Sequence, residues 1–237
     1  MFNILVNTEY EWLFEKLKAE SPEFFSINLA DLSSPDENLY EQLIRTNAII
    51  GQKINLSDDQ YEAAGNLKII QTLSAGFEHI DLTKAKKHNV YVANNNGANA
   101  ESVAEHVLML ILALYRQLLF HHNSIKQGTW TCLKYQNRGL SGKSLGIFGL
   151  GNTGKALARR ATAFGVKILY FDILRQTNTE KELGLEFVFP EELLKKSDIL
   201  SYHVPKTSYT HHLINRNSIN NMKEGALLIN ASRGDVH

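Results

Sequence analysis

The segment SLGIFGLGNTG, residues 144–154, decides the fold of this 237-residue chain. Its first half is an apolar run that predicts a strand, and its last residues predict the start of a helix. Between the two lies the spacing Gly149-x-Gly151-x-x-Gly154. Asp172 ends the next apolar run, 21 residues after Gly151. A strand, a glycine turn, a helix and an acid at this distance predict a βαβ unit of a parallel sheet.

The same residues predict a dinucleotide site, because each has a physical role there. Gly149 permits the tight turn, Gly151 lets the backbone approach a pyrophosphate, and Gly154 lets the helix pack closely on the strand. The unpaired N–H groups at the helix start, near Asn152 and Thr153, would then face the phosphates.

Asp172 predicts which dinucleotide is bound. Its carboxylate would accept hydrogen bonds from both ribose hydroxyls of NAD. It would disfavour NADP, since a phosphate charge about 4 Å away costs roughly 1–4 kcal/mol at effective dielectric constants of 80 down to 20. Arg175 would offset part of that repulsion. NAD is therefore the predicted cofactor, and NADP is disfavoured rather than excluded.

The composition is that of an ordinary soluble protein. Lys+Arg and Asp+Glu number 25 each, so the net charge favours neither a nucleic acid nor a membrane surface as partner. One cysteine, Cys132, excludes an intrachain disulfide and suits a reducing compartment. The longest apolar stretch, residues 107–114, is too short to span a bilayer, and the N-terminus does not resemble a signal peptide. We expect a cytoplasmic protein.

Strand and helix patterns alternate along the whole chain, which predicts parallel sheets with helical crossovers. Two series of strands are predicted, and helices are predicted between them, for example over 9–19 and 58–64. The first series is 3–7, 25–28, 48–51, 68–74 and 90–94. The second is 144–150, 167–172, 185–188, 199–204 and 226–231.

A long helix is predicted between the two series. Ser102 and Glu105 have the spacing of a capping box at its start. An apolar stripe at helical spacing is interpreted as core; its members are Val103, Val107, Leu110, Ile111 and Leu114. The turn-forming segment 94–99 predicts a hinge. We therefore expect two α/β domains joined near residues 95–101, with a ligand cleft between them.

Five motifs, in order, resemble the D-isomer-specific 2-hydroxyacid dehydrogenase family. They are LSAGFEHID (73–81), the segment 94–106 around Asn94, Gly97, Asn99 and Glu105-His106, the glycine loop with Asp172, HVP (203–205), and the segment 222–234 ending in NASRG. Glu78 and Asn96 depart from the family's more usual Asp and Pro. The resemblance implies an α/β fold of two parallel-sheet domains: a flavodoxin-like substrate domain over 1–97 and a Rossmann NAD-binding domain over 98–237.

The resemblance also implies a function and its residues. The function is NAD-dependent hydride transfer between a D-2-hydroxy acid and a 2-oxo acid, which needs a carboxylate anchor and a cation near the developing oxyanion. The backbone N–H groups of Ser74, Ala75 and Gly76 would hold the substrate carboxylate. Arg233 would be the catalytic cation. The cofactor would also contact His203, Val204, Pro205, Ala231, Ser232 and Arg233. No metal is expected.

The proton donor is a problem for this interpretation. In the family, an acid and a histidine follow the arginine segment, whereas this sequence stops at His237. His237 is a poor substitute at the terminus, and His79 and His203 have easier structural interpretations. We expect a Rossmann domain that is truncated at its C-terminal end. Three accounts stay open: a fragment of a longer protein, an NAD-binding sensor or corepressor-like protein that lost catalysis, and completion of the site by a second subunit.

Other classes of function fit worse. Tyr202 and Lys206 have the spacing of a short-chain dehydrogenase pair, but Pro205 lies between them at a strand end. His211 and His212 are adjacent and cannot face one metal from a regular element. No GxSxG elbow is present.

The resemblance also predicts the partners. A homodimer formed through residues 102–130 is expected, with a small 2-oxo or 2-hydroxy acid as substrate. The apolar residues Leu73 and Phe77 mildly favour a small uncharged substrate side chain over a phosphorylated one.

Overall fold

The computed structural model describes residues 1–34, 36–130 and 137–237, so Cys132 lies outside the described residues. The chain forms two compact units, Met1–Ala98 and Asn99–His237. This division falls next to the boundary that the sequence predicts, between residues 97 and 98. Each unit is built around its own parallel sheet.

The first unit has five parallel strands in the order β2-β1-β3-β4-β5, which is the flavodoxin-like order. Buried apolar side chains cover both faces of this sheet: Leu5, Ile49 and Ile70 lie on one face, each 2% exposed or less, and a smaller cluster of Ile4, Val6 and Ala48 lies on the other. The elements are β1 (Phe2–Asn7), α1 (Glu11–Glu20), β2 (Phe25–Leu29), α2 (Glu37–Arg45), β3 (Ala48–Gly51), α3 (Asp58–Ala63), β4 (Ile69–Thr72), α4 (Leu82–Lys87) and β5 (Tyr91–Ala93).

The second unit begins with two helices, α5 (Ala100–Tyr115) and α6 (Leu118–Lys126), and continues as an alternating α/β sheet. Read from one edge, the strand order is β8-β7-β6-β9-β10, all parallel. This is the order of the first five strands of a Rossmann sheet. The elements are β6 (Ser144–Phe148), α7 (Asn152–Thr162), β7 (Lys167–Phe171), α8 (Thr177–Leu183), β8 (Glu186–Phe187), α9 (Pro190–Lys196), β9 (Ile199–Tyr202), α10 (Arg216–Asn220) and β10 (Leu227–Asn230).

All ten predicted strands are present, but several end earlier than predicted. β4 ends at Thr72, β6 at Phe148 and β9 at Tyr202. The first residue after each of these strands donates one backbone hydrogen bond to a neighbouring strand, such as Leu73 N–H to Gly51 O at 2.8 Å. They are the first residues of the loops at the carboxyl edge of each sheet. Sequence pattern extends the strands to them because Leu73, Leu150 and Val204 are apolar.

The predicted capping box at Ser102 and Glu105 is wrong. The helix α5 begins three residues earlier than predicted, at Ala100, after Asn99, which makes no side-chain cap. Both predicted cap residues therefore lie inside the helix. Glu105 instead accepts a hydrogen bond from the Arg160 guanidinium of α7 at 3.0 Å, and Glu101 pairs with the same arginine. These acids tie α5 to α7 instead of closing the start of α5.

The apolar stripe of α5 is also only partly correct. Val107 and Ile111 are buried as predicted, whereas Val103 and Leu110 are half-buried and Leu114 is 54% exposed. The buried face runs through Ala100, Ala104, Val107, Leu108, Ile111 and Tyr115. Small alanines pack where α5 meets α7, and an apolarity pattern overlooks them in favour of larger residues.

In the part of the chain that the structure describes, no single helix is long and apolar enough to cross a membrane. Only α5 and α6 taken together reach that length and composition, and they are bent by 58° at their junction.

Candidate functional site

The glycine turn after β6 has the geometry that its sequence predicts. Gly149 has a φ of +97°, in the region that favours glycine, and a Cβ there would stand 2.8 Å from the carbonyl oxygen of His203. A Cβ on Gly154 would overlap the carbonyl oxygen of Gly149. A Cβ on Gly151 would meet nothing within 4 Å. Two glycines are thus required by packing, and the third leaves open space above the turn.

The start of α7 faces that open space with unsatisfied donors. Gly151 is the N-cap of the helix and has no side chain that could cap it. The first hydrogen bond of the helix runs from Lys155 N–H to Gly151 O, at 2.9 Å. Within the described residues, the N–H groups of Asn152, Thr153 and Gly154 find no acceptor. A helix start of this kind carries partial positive charge and suits a phosphate.

Asp172 lies at the end of β7 and is tied to the glycine turn. Its Oδ2 accepts a hydrogen bond from Leu150 N–H at 2.7 Å, and its Oδ1 accepts one from Leu174 N–H at 3.1 Å. Each carboxylate oxygen can accept further bonds. The acid therefore fixes the turn and keeps acceptor capacity for the ribose hydroxyls that the sequence assigns to it.

Arg175 does not pair with Asp172. Its guanidinium donates to both carboxylate oxygens of Glu180, at 2.8 and 3.0 Å. The Tyr170 hydroxyl donates to the same carboxylate at 2.6 Å. These two donors lower the pKa of Glu180 to about 2. The positive charge predicted to offset the repulsion of a 2′-phosphate is thus held by another acid.

His203, Val204 and Pro205 follow β9, on the other side of the glycine turn. His203 N–H donates to Phe148 O at 2.8 Å, and its Nε2 lies 2.9 Å from the Ser201 hydroxyl. Its Nδ1 is buried without a partner among the described residues. Burial lowers the pKa of His203 to about 4, so the ring is neutral at pH 7.

Arg233 follows β10 in a turn that Asn230 shapes. The Asn230 amide donates to Arg233 O at 2.8 Å, and its Oδ1 accepts from the Ser232 backbone N–H and hydroxyl, at 3.1 and 2.6 Å. Ala231, Ser232 and Arg233 are half-buried. The arginine is therefore presented by a fixed turn at the same edge of the sheet as the glycine loop.

In the first unit, the loop after β4 offers backbone donors. The N–H groups of Ser74, Ala75 and Gly76 have no acceptor among the described residues. The carbonyls are engaged instead: Asn94 donates to Ala75 O and Thr72 to Ser74 O, each at 2.7 Å. The loop thus has unpaired backbone N–H donors and carbonyl acceptors that are already hydrogen-bonded, which suits an anionic group such as a carboxylate.

Every predicted cofactor residue lies at the carboxyl edge of the second sheet, and the structure brings those after β6, β7 and β9 into direct contact. His237 is not part of this group, because it follows a short 3-10 helix, Gly234–Val236, and is exposed. His79 is half-buried in the first unit, and burial lowers its pKa.

Sequence reasoning placed Asn94 and Asn230 in motifs without giving them a role, and it missed Thr72; all three hold loops. Thr72 and Asn94 fix the loop at Ser74–Gly76, and Asn230 fixes the turn at Arg233. Each is a short polar residue at the end of an apolar strand. That position is the signal, because such side chains bond readily to nearby backbone.

The chain is similar to known proteins along its length. Residues 108–237 match the model of the D-isomer specific 2-hydroxyacid dehydrogenase NAD binding domain. A glyoxylate reductase of Korarchaeum cryptofilum is 39% identical over 74% of this chain and 54% of its own length. A hydroxypyruvate reductase of Thermotoga maritima is 40% identical over 78% of this chain and 60% of its own. The matched region is thus little more than half of these curated relatives.

A solved structure is similar to nearly the whole chain. The D-lactate dehydrogenase from Aquifex aeolicus, complexed with NAD and lactic acid, superposes with a TM-score of 0.84 and 33% identity. The superposition covers 99% of this chain and 70% of that one.

Proposed function

This chain belongs to the D-isomer-specific 2-hydroxyacid dehydrogenase family, and on that premise we propose that it takes part in NAD-dependent interconversion of a D-2-hydroxy acid and a 2-oxo acid. The observation that carries the proposal is the glycine turn. Gly151 leaves open space above the turn, and the free donors of α7 and the carboxylate of Asp172 border it. NAD, when bound, supplies or accepts the hydride.

The second unit holds the dinucleotide in this proposal. The N–H groups of Asn152 and Thr153 would bind the pyrophosphate, and Asp172 would accept from the ribose hydroxyls. Because Arg175 is paired with Glu180, the negative charge of Asp172 stays uncompensated by that arginine. This supports NAD over NADP.

The substrate is a small 2-oxo or 2-hydroxy acid in this proposal. Three backbone donors in the first unit, at Ser74, Ala75 and Gly76, suit its carboxylate. In the second unit, Arg233 suits the carbonyl oxygen, because a guanidinium stays charged and stabilises developing negative charge. The two relatives are a glyoxylate reductase and a hydroxypyruvate reductase, which makes glyoxylate and hydroxypyruvate the first candidates.

Proton delivery is the step that the described residues do not supply. His203 is buried and neutral, and His237 lies beyond a separate turn. We propose that a donor from outside the described residues, in a longer chain or in a second subunit, completes the reaction.

The proposal is tested in two stages. NADH binding is followed by fluorescence, with NADPH as the comparison, and NADH oxidation is followed with pyruvate, glyoxylate, hydroxypyruvate and phosphohydroxypyruvate. Turnover would mean that a second subunit supplies the proton donor, whereas tight NADH binding with no turnover fits both a fragment of a longer dehydrogenase and the NAD-binding sensor. Failure to bind NADH in a folded protein would contradict the proposal. Oxamate, a mimic of a 2-oxo acid, reports on Arg233 without turnover: R233Q should weaken its binding to the NADH complex about tenfold or more.

A homodimer through residues 102–130 is also proposed. Large apolar side chains on α6 and just after it are exposed, including Leu119 at 75% and Trp130 at 80%, and patches of this kind mark interfaces. L119E should convert a dimer to a monomer in size-exclusion chromatography with light scattering. I219E, at an exposed apolar residue of α10, is the control. A wild-type monomer at micromolar concentration would contradict the proposal.

A further inference from the structure

The first unit contains a cleft of about 950 Å³ that the proposed function does not use. It lies at the carboxyl ends of three neighbouring strands, where Asn7 ends β1, Leu29 ends β2, and Gln52 and Lys53 follow β3. The N-terminal half of α2 forms another wall. All of its lining residues belong to the first unit.

This cleft coincides with the topological switch point of the first sheet. In the strand order β2-β1-β3-β4-β5, the chain leaves β1 in one direction to form β2 and returns to form β3 on the other side. The crossovers diverge there, and a crevice opens between β1 and β3. Open α/β sheets bind ligands in the crevice at this point. The fold therefore places the cleft where a ligand site is expected on topology alone.

The walls of the cleft are fixed in place. Asn7 accepts a hydrogen bond from Leu32 N–H and donates to Lys53 O, each at 3.2 Å. Asp36 accepts from Leu39 N–H at 2.8 Å and so caps α2. Asp31 accepts from the backbone and hydroxyl of Ser33, at 2.9 and 2.6 Å. The loops after β1, β2 and β3 are thus joined to one another without a ligand.

The lining favours a neutral ligand with many hydroxyl groups. Five amide side chains line the cleft: Asn7, Asn38, Gln42, Gln52 and Asn55. An amide both donates and accepts, and a hydroxyl group does the same, whereas an anion only accepts and an ammonium only donates. The ring of Tyr10, 46% exposed, adds an apolar surface for the C–H face of such a ligand.

Anionic ligands fit poorly. The carboxylates of Glu9, Asp31 and Asp36 line the cleft with a single ammonium, that of Lys53. The start of α2 is already satisfied by Asp36. The residues that follow β1 are Thr8, Glu9 and Tyr10, so no glycine-rich turn cradles a phosphate. The features that favour a dinucleotide in the second unit, a glycine-rich turn and an unpaired helix start, are both missing among the described residues of this cleft, so a second dinucleotide is not expected here.

One atom in the cleft lacks a partner. The Oε1 of Gln42, which lines the cleft from α2, is buried and accepts no hydrogen bond from any described residue. A buried acceptor left unpaired is unfavourable, because it has lost its water. A rotation of the Gln42 side chain turns this amide toward the cleft, where a hydroxyl group of a bound molecule supplies the missing donor.

We propose that the β1/β3 cleft of the first unit is a binding site for a small, neutral, polyhydroxylated molecule, a sugar or polyol, held by its amide lining with Gln42 as a central contact. This site is separate from the residues assigned to NAD and to the substrate carboxylate. Its occupancy requires neither NADH nor turnover.

The test uses D-glucose and D-sorbitol as probes on the whole chain without NADH, by saturation-transfer NMR and titration of amide shifts. Thermal shift alone is unsuitable, because polyols at high concentration stabilise proteins by exclusion from their surface. Q42M replaces the amide by an apolar side chain of similar length. It should weaken the binding of the better probe roughly five- to tenfold, the equivalent of about one hydrogen bond. E41M, an exposed neighbour on the same helix outside the cleft, is the control and should bind as the wild type does.

Three further readouts decide the outcome. Q42M should melt at the same temperature as the wild type or higher without a probe, because an unpaired buried acceptor has been removed; this separates lost binding from lost folding. K53Q, which removes the charge and keeps a hydrogen-bond donor, should leave probe binding within about twofold, because a neutral ligand has no charge for the ammonium to bind. Saturation by neither probe at millimolar concentration, equal binding by Q42M and E41M, or displacement of the probe by inorganic phosphate would overturn the proposal.

Discussion

The two units share the same kind of sheet but differ in the residues that line its carboxyl edge. Each has a five-stranded parallel sheet with a topological switch point, between β1 and β3 in the first unit and between β6 and β9 in the second. In the second unit the strand is followed by Gly149, Leu150 and Gly151, and in the first by Thr8, Glu9 and Tyr10. Topology creates a crevice in both, and the residues directly after the strands decide which ligand it suits.

Glycine serves different purposes in the two units. Gly149 and Gly154 form the turn itself, since a Cβ on either would collide with backbone. In the first unit Gly51 ends β3 and backs onto β1, where a Cβ would stand 2.5 Å from Asn7 O. Gly51 lets β1 and β3 lie close together, and it leaves no open space for a ligand. A glycine count would not separate these roles, whereas the surroundings of each Cβ position do.

The largest effect is expected at Gly154. G154A should unfold the second unit, at a cost above about 4 kcal/mol, because its Cβ overlaps the carbonyl oxygen of Gly149. G151A is the matched variant, since its Cβ meets nothing within 4 Å. It should cost about 1 kcal/mol or less and yet weaken NADH binding at least tenfold, because the methyl group occupies the space assigned to the pyrophosphate. Urea denaturation and NADH fluorescence measure the two quantities.

Similar behaviour of G151A and G154A would contradict these different roles. Equal loss of stability in G151A and G154A would mean that the whole turn is structural. Normal NADH affinity in a folded G151A would mean that the dinucleotide does not approach this backbone.

The next effect concerns pH and the buried ring of His203. Burial lowers its pKa to about 4, against 6.5 in the unfolded chain. Above pH 6.5 the ring is neutral in both states and contributes no pH dependence. Between pH 6.5 and 4 only the unfolded chain binds the proton, so the free energy of unfolding falls by up to about 3 kcal/mol. Below pH 4 both states are protonated and this loss stops growing.

H203N should remove that part of the pH dependence, measured as the slope of unfolding free energy between pH 7 and 4.5. H106N, at an exposed histidine of α5, should leave the slope unchanged. An unaltered slope in H203N would show that the ring is accessible to solvent.

The sequence predicted the folds of both units and the position of the dinucleotide turn, because strand periodicity and glycine spacing are local signals. It failed where three-dimensional neighbours decide. Ser102 and Glu105 have the spacing of a capping box, but Arg160, distant in sequence, binds Glu105 inside the helix. Arg175 is near Asp172 in sequence, but Glu180 holds it. The β1/β3 cleft carries no motif, since amides and acids scattered over residues 7–55 form it only once the sheet is built.

A smaller effect is expected at Asp172. D172N should reduce the preference for NADH over NADPH about tenfold or more, because a carboxylate near the 2′-phosphate is replaced by a neutral group. The amide oxygen can still accept from Leu150 N–H, so the turn should persist and the melting temperature should change little. The ratio of the two dissociation constants is the measurement, and an unchanged ratio would show that this acid does not face the ribose.

The weakest effect is expected at Glu180, the acid that pairs with Arg175. Glu180 has its pKa lowered to about 2 by Arg175 and then by the Tyr170 hydroxyl. Its contribution to stability is therefore complete above its ordinary value of 4.5 and is lost as the pH falls from there toward 2. E180Q should be slightly less stable than the wild type at pH 7, and the difference in stability should shrink as the pH falls below 4.5.

E180Q should also release Arg175 and so improve NADPH binding relative to NADH binding. The improvement should be smaller than the one expected for D172N, since a released arginine is exposed and well screened. The control is E182Q, because the Glu182 carboxylate pairs with Arg159 on the surface, at 3.8 Å. If E180Q left the cofactor ratio unchanged while D172N altered it, the acid alone would set the choice of cofactor, and the pairing of Arg175 would serve only the packing of α8 on β7.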